Sequence, residues 1–393
     1  MRHLLLLSFF VSSFLCACWP AVVEPDAGSE PDAENDAGGF VEPDAGSEPD
    51  AGVSGEPEVP LNVPLDTWTY VTVEGARCGD GSPVGYAINP TEASDEVYFF
   101  FEGGGACWDD ISCNMLQTAT YVKTGITEAA VLEHLGRASS SGQFNRDDDT
   151  SPMREKTYIY FPHCTGDLYT GSNANSGIGV EFVGYTNIGL FLDDVVPYFA
   201  NASRIIVSGS SAGGYGAAFN YARIQERFPN AKSDLLVDSA PAVNTSIFTA
   251  AVQNEQRAIW GLTANLPAGC GDDCSDQEAF FLHLLDAYPE SNFAVVASLG
   301  DATLRGFAQL GSATPLVEFP VATYTAGIQS FYDVAKDRSN FRLYAVDSEK
   351  HVFFYDDPFG SVTSEGVRLV DFLDDALDDN ATWAHVLPAA ITP

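Results

Sequence analysis

The chain contains residues whose types and spacing suit acyl transfer. These are a serine set among glycines, histidines that follow apolar runs, and aspartates lying between the two. "RIIVSGSSAGGYGAAFN", starting at Arg204, contains Gly209-Ser210-Ser211-Ala212-Gly213. That is G-x-S-x-G between an apolar strand-like run and a run of helix formers, the context a nucleophile elbow requires. Glycines on either side spare the turn the side chains that would collide there. The following helix aims its N-terminus, and hence its free N–H groups, at the site. Ser211 is therefore the candidate nucleophile.

A serine hydroxyl needs a base, and the base needs an orienting acid. Of six histidines, His3 lies in an N-terminal export-like run, His134 and His283 lie in helical patterns, and His385 lies near the C-terminus. His163 ("YFPHC") and His351 ("AVDSEKHVFFYD") each follow a strand-like run. The order serine, acid, histidine found in α/β-hydrolases selects His351, because His163 precedes the serine. Asp301 in "FAVVASLGDATLRG" is the preferred acid, at the carboxyl end of a very apolar run where such folds build their sites. Asp238 in "LLVDSAP" is the alternative, and Asp347 lies close to His351 in sequence. Gly103, Gly104 and Gly105 directly follow another apolar run, "FFFEGGGACWDDISC", and suit a second oxyanion donor segment.

The elements that must position these residues are legible as an alternation. "EVYFFFEGG", "TYIYFP", "RIIVSG", "DLLVD", "FAVVAS" and "FRLYAV" are short, apolar and nearly unbroken, as parallel strands buried on both faces are. Between them lie helical stretches beginning at Thr186, Ala212 and Ser364. The pattern predicts an α/β fold with right-handed crossovers, a mostly parallel sheet flanked by helices, as one catalytic domain over residues 61–393.

Residues 1–60 stand apart. "MRHLLLLSFFVSSFLCAC" reads as an export signal, and Leu15, Ala17 and Cys18 form a lipobox-like end that predicts lipidation of Cys18. Residues 19–60 carry twelve acids, no Lys or Arg, and a repeated "EPDAGSEPDA". Such sequence is expected to be a disordered tether, and single acids between prolines lack the clustered oxygens of a calcium loop. The expectation is an exported protein, on the outer membrane or cell surface or secreted, touching the membrane only through that anchor. Residues 61–393 hold 43 acids against 17 basic residues, a net charge of −26. That balance excludes nucleic acid as a partner. Six cysteines remain outside the signal, Cys78, Cys107, Cys113, Cys164, Cys270 and Cys274, an even set that suggests three disulfides. Cys107–Cys113 and Cys270–Cys274 are close pairs among fifteen connectivities, and a zinc site is the rival, poorly matched by the spacing.

Together these segments resemble the pectin acetylesterase/Notum family of carboxylesterases (carbohydrate esterase family 13), here as a bacterial lipoprotein-like member. The matching stretches are "RCGDGSPVGYAI", "FFEGGGACWDDISC", "FPHCTGDLYTGS", "GSSAGGYG", Gly300-Asp301 and His351, in family order from about Cys78 to His351. The resemblance implies a Ser211–Asp301–His351 triad and an oxyanion hole of Gly104, Gly105 and Ala212 N–H groups. It also implies that Cys107–Cys113 is a disulfide and that Cys78 joins Cys164, and it requires no cofactor or metal. Ala106 stands where plant members carry Trp, and His163 where they carry Tyr, so substrate preference does not follow. The expected reaction is hydrolysis of O-acyl esters, foremost O-acetyl groups on a polysaccharide, by a monomer. The alternatives are a deacylase of longer acyl esters or lipids, a peptidase or lipase, and a non-catalytic glycan-binding module.

Overall fold

The computed structural model describes residues 62–274, 276–312, 317–356 and 358–391. The expected export signal, the lipobox at Cys18 and the acidic tether fall outside them. An eight-stranded sheet forms the centre: β1 (Thr69–Arg77), β2 (Pro83–Asn89), β3 (Val97–Phe101), β4 (Thr157–Phe161), β5 (Arg204–Ser210), β6 (Lys232–Asp238), β7 (Phe293–Ser298) and β8 (Phe341–Val346). Their spatial order is β1-β2-β4-β3-β5-β6-β7-β8. The pairs β4–β3, β3–β5, β5–β6, β6–β7 and β7–β8 run parallel, while β1–β2 and β2–β4 pair antiparallel. The helices are α1 (Glu128–Ala138), α2 (Gly184–Val195), α3 (Ala212–Arg227), α4 (Ala250–Trp260), α5 (Gln277–Ala287), α6 (Ala302–Leu310), α7 (Val321–Ala335) and α8 (Leu369–Leu377). A mostly parallel sheet flanked by helices is the α/β-hydrolase arrangement the alternation predicts.

The central strands are apolar throughout because both of their faces are covered. Every residue of β3, β4 and β7 is buried. Tyr98, Phe99, Phe100, Phe101, Tyr158, Tyr160 and Phe161 interlock there in stacked and edge-on pairs. The β1–β2 hairpin was not expected from sequence: β1 alternates exposed and half-buried residues at the sheet edge, so it has no apolar run. One helix start is corrected. Ser364 does not open a helix. It lies in a two-residue strand, β9 (Thr363–Ser364), paired with β10 (Val367–Arg368), and Gly366 turns between them at φ +81°. α8 begins only at Leu369.

Three disulfides join Cys78 to Cys164, Cys107 to Cys113 and Cys270 to Cys274. The first ties the end of the β1–β2 hairpin to the loop after β4. Among the described residues, Cys270, Cys274 and His283 are the group of potential metal ligands that lies within 4.8 Å, and its two sulfurs are bonded to each other.

Candidate active site

Four loops leave the carboxyl ends of β3, β5, β7 and β8 and converge, which parallel strands make possible by ending on one side of the sheet. Ser211 sits between β5 and α3 at φ +57°, ψ −125°, a conformation that costs a non-glycine residue energy unless its surroundings fix it. The surroundings do so. A Cβ on Gly209 would lie 2.2 Å from the Gly213 carbonyl oxygen, and one on Gly213 would lie 1.9 Å from that of Phe101. The Ser211 N–H donates to the Asp238 carbonyl at 2.8 Å, anchoring the turn to β6.

His351 Nε2 lies 2.7 Å from Ser211 Oγ, and its Nδ1 lies 2.7 Å from Asp301 Oδ2. Asp301 is buried and caps α6, its Oδ1 accepting the Leu304 N–H at 2.9 Å. The acid loop and histidine loop are laced together: Leu299, Gly300 and Ala302 donate to the carbonyls of Val346, Ser348 and Glu349. A serine hydroxyl, an imidazole and a buried carboxylate in a continuous chain can carry a proton from the hydroxyl to the ring and hold the ring while it is charged.

The glycine loop closes over the serine. A Cβ on Gly103 would be 3.2 Å from Ser211 Cβ. Outside the helices and strands, no backbone carbonyl among the described residues accepts from the N–H groups of Gly104, Gly105 and Ala212. Disulfide Cys107–Cys113 fastens the far side of this loop, and Trp260 Nε1 donates to the Cys107 carbonyl.

Two of the sequence candidates take other positions. Asp238 does not reach His351. Its carboxylate accepts from Ser210 Oγ, Ser239 Oγ and the N–H groups of Phe353 and Phe354, and burial pushes its pKa up against those donors. His163 lies beneath the glycine loop, fully buried, with neither ring nitrogen hydrogen-bonded to any described residue, and burial lowers its pKa to about 4. Its backbone N–H donates to Glu102, whose carboxyl is pushed up by burial and pulled down by His134 and by that N–H.

An apolar cleft begins at Gly105, Ala106 and Ala212 and runs between Trp108, Val252 and Phe307. It shares Leu168, Tyr215, Gln256 and Gln277 with a second hollow that also meets Arg257 and Asp276. Sequence reasoning missed this cleft, since its walls are mostly ordinary core residue types drawn from six separate segments.

Comparison with known proteins places these features in context. The family model described as Pectinacetylesterase matches residues 60–319, a span that holds Ser211 and Asp301 and ends before His351. The palmitoleoyl-protein carboxylesterase NOTUM of Schmidtea mediterranea is 28% identical over 156 residues, 38% of this chain and 29% of that protein. The notum2 carboxylesterase of Xenopus laevis is 26% identical over 149 residues, 37% and 30% of the two chains. The Homo sapiens NOTUM is 27% identical over 157 residues, 38% and 30%. The matched part of this chain thus spans less than a third of the length of these curated relatives.

Proposed function

The chain belongs to the pectinacetylesterase family, and on that basis we propose that it is a serine carboxylesterase acting on O-acyl esters. Ser211 Oγ attacks the ester carbonyl as His351 Nε2 takes its proton. Asp301 orients the ring and balances its charge. The tetrahedral oxyanion accepts hydrogen bonds from Gly104, Gly105 and Ala212 N–H. His351 then returns the proton to the departing alcohol, and a water activated the same way releases the acid. The observation that carries this reading is the unbroken Ser211–His351–Asp301 chain at 2.7 Å per link.

The acyl group lies in the apolar cleft beside the hole. O-acetyl removal from a polysaccharide follows from the family name. The apolar lining of the cleft favours a longer acyl chain, as do relatives named for palmitoleoyl esters. Three disulfides fit an exported protein. Cleavage before Cys18, a lipid on that cysteine and a tether over residues 19–60 complete the proposal for its location. The decisive assay compares p-nitrophenyl acetate with p-nitrophenyl octanoate for the purified protein and its Ser211→Ala variant. Wild-type turnover lost in the variant supports the reading, and full activity in Ser211→Ala overturns it. Cys18→Ser is expected to move the protein out of the membrane fraction.

A further inference from the structure

His351 is followed by Val352 at φ +60°, a backbone conformation that a β-branched side chain takes up only when its surroundings impose it. The structure shows what imposes it. The Val352 N–H donates to Ser239 Oγ at 3.0 Å. The next two N–H groups, of Phe353 and Phe354, converge on the Asp238 carboxylate at 3.0–3.1 Å. Ser239 Oγ donates onward to Asp238 Oδ1 at 3.0 Å, and Ser239 itself stands at φ +55°. On its other side the same carboxylate takes Ser210 Oγ at 2.7 Å, one residue before the nucleophile, while the Asp238 carbonyl takes the Ser211 N–H. Ser210, Asp238 and Ser239 are all buried.

From this geometry we infer that Asp238 and Ser239 form a positioning clamp: one buried carboxylate fixes the nucleophile turn and the histidine loop against each other and bears the strain at Val352. The clamp rests on the triad proposed above and acts through it. Asp238 touches no reacting atom. It sets where His351 Nε2 stands relative to Ser211 Oγ.

The chemistry requires a carboxylate here. Asp238 offers two acceptor oxygens to four donors, and each oxygen is used: Oδ1 by Ser239 and Phe353, Oδ2 by Ser210, Phe353 and Phe354. An asparagine has one acceptor oxygen and would turn an NH₂ group toward groups that also donate. A buried donor left unmatched is costly, so the loop would leave its register rather than keep its bonds unmade. If strain at Val352 is what the clamp holds, replacing Val352 by glycine removes the need for part of it, because glycine takes positive φ freely.

The test is a rescue. Asp238→Asn, Val352→Gly and the double variant are compared with wild type in kcat and KM for a p-nitrophenyl ester, with thermal unfolding followed in parallel. Asp238→Asn is expected to lower kcat by about 30-fold or more with KM within about threefold, as lost positioning of a catalytic unit does. Adding Val352→Gly is expected to restore kcat by about fivefold over Asp238→Asn. A merely stabilising aspartate would instead show a fall in unfolding temperature that the glycine deepens, with no regained rate, and that result overturns the clamp. So does wild-type kcat in a folded Asp238→Asn. Should Asp238→Asn not fold, Ser239→Ala carries the same test, since it deletes the links from Ser239 Oγ to Val352 and to Asp238 Oδ1 and leaves the carboxylate with its other donors. A Ser211→Ala control separates the two failures. Turnover persisting there removes the triad itself, whereas turnover lost there beside an unimpaired Asp238→Asn removes only the clamp.

Discussion

At the scale of single residues, His163 makes a prediction independent of catalysis. With no partner among the described residues for either ring nitrogen, its charged form is penalised by burial alone, and its pKa falls from 6.5 to about 4. A histidine with a lowered folded pKa contributes stability that is present above pH 6.5 and lost as pH falls through 4. Over that window the loss reaches about 3 kcal/mol by pH 4. His163→Phe keeps a flat ring beneath Gly104 and removes the titration. Chemical denaturation of the two proteins between pH 7 and pH 4 is expected to show a shallower decline for the variant, and parallel curves would refute the assignment. Asp301→Asn tests the triad's third member without disturbing its helix cap, because an amide oxygen still accepts the Leu304 N–H. The expected outcome is kcat reduced by about 10³–10⁴-fold with an unchanged unfolding temperature, since the ring loses its orienting acceptor while the oxyanion hole persists. An equal loss of stability and rate would reassign Asp301 to structure.

At the scale of elements, the glycine loop shows why parts of the site were legible in sequence and others were not. A Cβ on Gly105 would stand 2.1 Å from the Thr118 carbonyl oxygen, and the residue sits at φ +79°. Gly105→Ala is therefore expected to push its N–H out of the hole. Removing one oxyanion donor costs about 10²–10³-fold in kcat, and the steady-state rates of this variant measure it against Gly136→Ala, where an added Cβ meets nothing within 4 Å. Constraints of this kind are local, so a run of glycines after an apolar strand, or G-x-S-x-G before a helix, betrays its role in the residue letters. The parallel strands were equally plain, since burial on both faces leaves no polar residue to break the run. The clamp was not. "VDSAP" marks Asp238 as a candidate acid, but only the three-dimensional path of residues 351–354 shows that it holds backbone N–H groups and not an imidazole. The cleft was hidden for a similar reason, as Trp108, Val252 and Phe307 are indistinguishable from core until the fold brings them to one wall. β1 and the start of α8 failed on marginal signals, an edge strand without an apolar run and a serine that mimics a helix cap.

At the scale of the whole molecule, the surface charge bears on which esters this fold will accept. Residues 61–393 carry a net charge of −26, and the histidine loop carries acids of that sign together with Lys350, which is partly exposed and paired to Asp356. Glu349 and Glu318 are exposed, and the cation beside them, Arg305, is buried and paired to both. A polyanionic chain approaching the site, such as a partly de-esterified polyuronate, meets a field it must climb against. Neutral esters meet none. Salt separates the two cases, because the screening length shrinks from about 30 Å at 0.01 M to about 10 Å at 0.1 M ionic strength. Raising the salt over that range is expected to lower KM several-fold for an acylated polyuronate and to leave KM for p-nitrophenyl octanoate nearly unchanged, with kcat steady for both. The comparison is internal, so any general effect of salt on folding or on the triad appears in both substrates and cancels. A KM for the polyuronate that rises with salt would mean that the cleft draws anions in despite the net charge, with Arg257 at the second hollow as the first cation to replace. A KM that falls as expected places the acidic surface among the determinants of specificity, and it favours neutral acylated substrates for the cleft that Ala106, Val252 and Phe307 line.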